Sequence, residues 1–203
     1  MAKAGKSDWR DGFLFVGNYL ALDFLNTRPV QNGEAQELLP DFGALLRWFQ
    51  ATELLSPPQA MKLQKKWGAS ERAARMLEEA RKLRETLRTD VIAWEDGGAV
   101  RRSTVEELNR LAAEHPMRTR LQAKGKRHAT ESWFDSGEPE GLFAPLADSA
   151  VRLFAEVDHR KVRKCGQCVL HFLDTSKKGT RRWCSMRLCG NRLKVAAYAA
   201  RQR

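Results

Sequence analysis

The four cysteines of this chain all lie within one 25-residue window, and this clustering constrains the fold more than any other feature. They form two close pairs, Cys165 with Cys168 and Cys184 with Cys189, and the 164 residues before them contain no cysteine. A disulfide framework would be spread more widely, so these separations predict a tetrahedral metal site. Four thiolates favour one Zn²⁺ per chain. Because they fill every position, the predicted zinc is structural.

Other interpretations of the cysteines remain open. Cys165 and Cys168 could form a redox pair, but such a pair is expected beside a βαβ unit and would leave Cys184 and Cys189 unexplained. The four residues could also be incidental. His171 could replace one ligand, although a hydrogen-bonded histidine in a hairpin is the simpler expectation.

The residues around the cysteines predict a small finger. Residues 169–173 and 181–183 are expected to pair as strands, with a turn at 176–179 between them. The segment after Cys189 contains good helix formers and predicts a helix. A knuckle, a hairpin and a helix in this order suggest a treble-clef-like zinc finger with four cysteine ligands over residues 159–203.

The rest of the chain has the patterns of a helical domain. A strand is expected at 13–16, a hairpin at 118–123 and 127–134, and helices that begin near 18, 41, 57, 71, 104 and 142. Thr104 and Glu107 form a capping-box pattern that predicts the start of the fifth helix. The predicted fold class is therefore α+β: a predominantly helical N-terminal domain over residues 1–158 with a small antiparallel sheet, followed by the finger.

The positive charge of the chain is concentrated in the predicted finger. The net charge is +11, and residues 160–203 contain thirteen Lys and Arg against the single acid Asp174. A solvated face is the ordinary explanation of a charge run, but this density favours DNA binding, with RNA as an alternative partner. The candidate nucleic-acid contacts are Lys177, Lys178, Arg181, Arg182, Arg187, Asn191, Arg192 and Lys194. Asn191 could read adenine, although a capping bond is the more ordinary role.

A polar cluster follows the first predicted helix. Asp23, Asn26, Thr27 and Arg28 could bind a small-molecule effector or could simply end the helix, and the structural role is favoured. The sequence contains no nucleotide-binding glycine loop, HExxH pattern or nucleophile elbow, so no catalytic residues are predicted and the chain is not expected to be an enzyme. A ligand-binding or enzymatic N-terminal domain with an accessory finger is the alternative.

Two segments carry a family resemblance. Cys189-Gly-Asn-Arg192, with FLDTS at 172–176 and RWCSM at 182–186, resembles the CGNR zinc-finger family. FVGNYLALDFLNT at 15–27 resembles the opening of the ABATE domain of bacterial stress-induced transcription regulators. The resemblance implies DNA binding by the finger and a sensory role for the N-terminal domain.

The cellular setting is predicted from the same sequence. The apolar segment 13–25 is interrupted by Gly17, Asn18 and Asp23, so neither a membrane span nor a signal peptide is expected. Clustered cysteines suit a reducing compartment, and the chain is expected in the cytoplasm without a membrane partner. A single finger reads few bases, so a homodimer is a candidate assembly.

Overall fold

The computed structural model describes residues 8–31, 33–125 and 127–191. This part of the chain contains six α-helices and four two-stranded antiparallel sheets. The α+β prediction is confirmed. The helices are α1 Leu20–Leu25, α2 Phe42–Ala51, α3 Pro57–Trp67, α4 Glu71–Glu95, α5 Arg102–Glu114 and α6 Phe143–Glu156. The strands are β1 Trp9–Arg10, β2 Phe13–Leu14, β3 Val30–Gln31, β4 Glu34–Ala35, β5 Arg118–Lys124, β6 Arg127–Trp133, β7 Val162–Lys164 and β8 His171–Leu173.

The helices α2, α3 and α4 begin where the sequence predicts. The Asp41 carboxylate accepts the Ala44 N–H at 2.7 Å, and the Ser70 hydroxyl accepts the Ala73 N–H at 3.2 Å. At α3, the Ser56 N–H donates to the Gln59 side chain at 2.9 Å. Each bond satisfies a backbone group that a helix start would otherwise leave unpaired.

The prediction for the start of α5 is wrong. The helix begins at Arg102, and Thr104 lies inside its first turn, where it is buried. The Thr104 hydroxyl donates to Asp90 of α4 at 2.6 Å, and Arg101 Nε donates to the same carboxylate at 2.8 Å. A partner on another helix therefore takes the hydroxyl that the local pattern assigned to capping.

The main core lies between α4 and the helices that surround it. Trp48 of α2 is fully buried and contacts the rings of Phe24 and Phe49, at centroid distances of 5.6 and 5.0 Å. The apolar side chains of α4 are buried as far as Val91, while α6 contributes Leu146 and Leu153. Burial of large apolar side chains is the dominant stabilising contribution to such a domain.

The predicted strand pairing in the finger is wrong. Strand β8 pairs with β7, in the register Val162 with Leu173, rather than with residues 181–183. The main chain of 181–183 is bonded elsewhere: the Arg181 N–H donates to Asp174, and the Arg182 carbonyl accepts from Gly166. The turn at 176–179 is present and closes with a bond from the Gly179 N–H to the Ser176 carbonyl. The helix predicted after Cys189 lies almost entirely outside the described residues, which end at residue 191.

The finger packs directly against the N-terminal segment. Leu14 and Val16 share a second buried cluster with Phe172, Leu170 and three of the cysteines. The Leu173 N–H donates to the Gly17 carbonyl at 2.7 Å, and Asn26 bonds to the main chain of His171 in both directions, at 2.9 and 3.0 Å. The division at residue 158 stays a prediction, but the two parts share a tight interface.

Of the helices in the described part of the chain, none combines the length and the apolar character that crossing a membrane requires.

Candidate metal centre and nucleic-acid interface

The four cysteines come together at one point. One Sγ from each of Cys165, Cys168, Cys184 and Cys189 lies within 4.8 Å of the others. Cys168 and Cys184 Sγ are 3.6 Å apart, and Cys184 and Cys189 Sγ are 3.7 Å apart. A zinc ion with Zn–S bonds of about 2.3 Å requires sulfurs about 3.8 Å apart. The sulfurs are therefore spaced for tetrahedral zinc, and they are too far apart for disulfides.

Short local structures position the cysteines around this point. The knuckle between β7 and β8 is closed by a bond from the Cys165 N–H to the Leu170 carbonyl at 2.9 Å. Gly166 lies against Trp183, where an added Cβ would be 3.1 Å from the indole ring. The Ser185 hydroxyl accepts the Arg187 N–H at 3.1 Å and so begins a wide helical turn, Met186–Gly190, that carries Cys189.

Four thiols this close together cannot all be deprotonated to thiolates by the protein alone. Hydrogen bonds with Cys165 and Cys168, together with burial, raise the pKa of Cys184, and the hydrogen bond with Cys165 raises the pKa of Cys168 to about 12. Bonds from the Cys168 and Cys184 thiols lower the pKa of Cys165. Zn²⁺ removes this conflict because its charge stabilises all four thiolates together. The centre is a structural zinc site with no open position for a substrate.

Arg181 lies inside the finger. Its guanidinium donates to the Trp183 carbonyl at 2.8 Å and also to the Cys184 carbonyl, and it lies 4.5 Å from the centroid of the Phe172 ring. These bonds fix the chain just before a zinc ligand. Arg181 is thus occupied by structure, although the sequence alone groups it with the phosphate contacts.

All of the other predicted contacts that the structure describes are on the surface. Lys177 and Lys178 are exposed on the turn after β8, and Arg182, Arg187 and Asn191 are exposed around the zinc site. Arg192 and Lys194 lie outside the described residues. The assignment of these residues to nucleic-acid contacts stays a prediction.

Sequence reasoning missed one part of this surface. A groove of about 340 Å³ runs between the end of α4 and the knuckle, and its basic lining includes Arg160, Arg163, Lys164 and Arg182. Glu95 and Asp96 lie on its other side. Some of these charges are already paired, since Arg160 bonds Asp158 at 2.8 Å and Arg163 lies 3.6 Å from Asp174. The density of Lys and Arg at 160–164 was the available signal.

Comparison with protein-family models decides the family. A model described as "Putative stress-induced transcription regulator", ABATE, matches residues 18–157, more than half of the chain. The chain belongs to the ABATE family. A CGNR zinc-finger model matches residues 161–202, which include all four cysteines. Among curated proteins, none is similar enough to count as a match.

The predicted effector cluster of the ABATE domain is engaged within the protein. Asp23 accepts the Gly17 N–H at 2.7 Å, and the Thr27 hydroxyl donates to the Phe24 carbonyl and accepts from the buried Arg84. Asn26 is bonded to His171 as described above. Arg28 lies 3.5 Å from Glu85 at the surface. These bonds support the structural role, and an effector at this cluster stays a prediction.

His171 joins the CGNR finger to the long helix of the ABATE domain. Its buried ring places Nδ1 3.2 Å from the Glu95 carboxylate at the end of α4. The ring therefore contributes to the junction, and the four sulfurs form the metal centre without it.

Proposed function

We propose that this chain is a DNA-binding transcriptional regulator that holds duplex DNA with the exposed cations of its CGNR finger. The family description, a transcription regulator, supports this class of function. The observation that carries the proposal is the set of exposed Lys177, Lys178, Arg182 and Arg187 around a closed structural zinc site.

The role of the zinc is structural rather than catalytic. It holds the knuckle, the turn after β8 and the segment 181–189 in one arrangement, so the cations that these segments carry keep fixed positions. Each cation that neutralises a phosphate releases a condensed counterion, and affinity then falls steeply as salt rises. Asn191, exposed beside these cations, is the candidate for a base contact.

The ABATE domain receives a signal or a partner in this proposal, and the chain is not an enzyme. Reduced thiols fit a protein that works in the cytoplasm. Two copies on neighbouring half-sites would extend the few bases that one finger reads.

The proposal is tested by removing two cations from the finger. Lys177→Gln/Lys178→Gln should make the negative slope of log affinity against log salt shallower by about two units on any duplex. The matched control, Arg75→Gln/Arg152→Gln, removes two exposed charges from α4 and α6 and should leave the slope unchanged. Affinity is measured by fluorescence anisotropy on zinc-loaded protein over a salt range of about 50 to 200 mM.

Each outcome decides something. Equal losses in both variants would mean attraction by net charge alone, and no loss in the finger variant would contradict the assigned interface. Competition between duplex DNA and structured RNA at fixed salt then separates the two polymers, since a preference for RNA would replace DNA in the proposal.

A further inference from the structure

The hairpin of β5 and β6 is largely uncovered by the rest of the described chain. None of the fourteen residues in the two strands is buried. Leu121 is 70% exposed and Trp133 is 40% exposed. An isolated two-stranded hairpin is only marginally stable in water. This ribbon adds little to the core, so its surface is the feature to explain.

One face of the ribbon is basic. Side chains alternate between the faces of a strand, so Arg118, Arg120 and Lys124 of β5 share one face. Their cross-strand partners on that face are Trp133, Glu131 and Arg127 respectively, and Arg120 is already paired with Glu131, Nε to carboxylate 2.5 Å. Residues 118–133 contain five Lys and Arg against the single acid Glu131, a concentration that the near-neutral charge of the whole N-terminal part conceals.

The tip of the ribbon places like charges opposite each other. Lys124 and Arg127 are direct cross-strand partners, and both are exposed. Like charges in this arrangement destabilise a ribbon. An anion between the two side chains would remove the repulsion.

The dimensions suit a polyanion with regular spacing. Seven residues at about 3.4 Å each give a ladder about 24 Å long, which equals roughly seven base-pair steps measured along the axis of a duplex. A two-stranded ribbon is also narrow enough to enter the major groove.

We propose that the basic face of the β5–β6 ribbon is a second DNA-contacting surface, carried by the ABATE domain and separate from the finger. It contacts the backbone phosphates of a duplex that the same chain holds. The inference rests on the proposed function for the identity of the polyanion, and it goes beyond that function by giving the N-terminal domain a part in binding.

The test uses the full zinc-loaded chain and removes the two tip charges. Lys124→Gln/Arg127→Gln relieves a repulsion, so the variant should keep its zinc content and melting temperature. Its affinity for duplex DNA should fall by about tenfold at roughly 100 mM salt. The negative slope of log affinity against log salt should become shallower by about two units. The Arg75→Gln/Arg152→Gln variant is the matched control and should retain full affinity.

The finger variant separates this inference from the proposed function. If only Lys177→Gln/Lys178→Gln weakens binding, the ribbon proposal is overturned and the finger interface stands. If only the ribbon variant weakens binding, the ribbon proposal stands and the finger assignment fails. If neither does, both fail.

A second measurement needs no substitution. Trypsin should cut after Lys124 and Arg127 in the free protein, and saturating duplex should slow this cleavage at least several-fold by mass spectrometry. Unchanged cleavage of a fully DNA-bound protein would overturn the proposal. The proposal is also overturned if sedimentation without DNA shows that the parent chain is a dimer and the ribbon variant a monomer, because the ribbon would then join two copies of the chain.

Discussion

Individual buried polar residues hold the finger to the ABATE domain. Asn26 is completely buried, and its amide bonds both main-chain groups of His171. By bonding both the N–H and the carbonyl of a distant residue, the Asn26 side chain replaces the backbone partner that a neighbouring β-strand would provide. Its removal leaves both groups without partners, which costs more than an average hydrogen bond is worth.

Asn26→Ala is expected to lower the free energy of unfolding by roughly 2–4 kcal/mol, since two buried backbone groups lose their partners. Asn109→Ala, on the exposed face of α5, is the control and should change stability by less than about 0.5 kcal/mol. Urea unfolding followed by circular dichroism measures both. Equal stability of the two variants would contradict the assigned bonds.

Asp23 gives the stability of the protein a particular dependence on pH. Burial raises the pKa of Asp23 to about 7, although the Gly17 N–H opposes the shift. The folded state then holds a proton that the unfolded chain releases near its ordinary pKa of 3.8. The stabilising contribution of the neutral carboxyl is complete below about pH 4 and is lost as the pH rises through about 7.

Asp23→Asn should therefore become more stable relative to the parent as the pH rises from about 4 to about 8, by a difference on the order of a few kcal/mol. The amide keeps an oxygen to accept the Gly17 N–H. Subtracting the two unfolding profiles cancels the other titrating groups, and a flat difference across this range would refute the raised pKa.

At the scale of elements, helix starts follow local sequence unless a neighbouring helix competes for the capping group. Thr104 shows the competition, because its hydroxyl completes a buried carboxylate on α4. Although burial opposes it, hydrogen bonds from Arg101 and Thr104 lower the pKa of Asp90. The same bonds join α4 to α5.

Thr104→Val preserves the shape of the side chain and removes its hydroxyl, so it should cost roughly 1–3 kcal/mol of stability. Thr104→Ser keeps the donor and should cost less. Thermal unfolding of both variants distinguishes them. If the two were equally destabilised, packing of the methyl group rather than the bond to Asp90 would explain the loss.

At the scale of the whole molecule, the zinc site supports more than the finger. Leu14 and Val16 are covered by residues that the metal organises, and β8 is bonded to the loop at Gly17. Loss of zinc should therefore reach the N-terminal strands. Structural zinc contributes on the order of 10–16 kcal/mol in finger peptides, more than so small a cluster can replace.

Cys165→Ser or Cys189→Ser should abolish stoichiometric zinc binding and unfold the finger, while most of the ABATE helices remain. Their melting temperature should also fall, because Leu14, Val16 and Asn26 lose their partners. Metal analysis and circular dichroism measure the two effects. Retention of one zinc per chain in either variant would refute the four-cysteine site.

The sequence alone determined the features that depend on neighbouring residues. Cysteine spacing identified all the zinc ligands, because a tetrahedral site needs close pairs of donors. The starts of α2, α3 and α4 followed from one capping residue each, and the β5–β6 hairpin was predicted to within one residue at its ends. These signals are local and depend little on the rest of the fold.

Only the tertiary structure decided which distant groups meet. An alternating pattern does not name a partner strand, so the sequence paired residues 169–173 with 181–183, whereas packing pairs β8 with β7. The charge of a residue does not show where its side chain points. The sequence therefore grouped Arg181 with the phosphate contacts, although its guanidinium turns inward to main-chain carbonyls. The basic face of the ribbon was not predicted either, because the exposure of its charged residues depends on which surfaces the rest of the chain leaves uncovered.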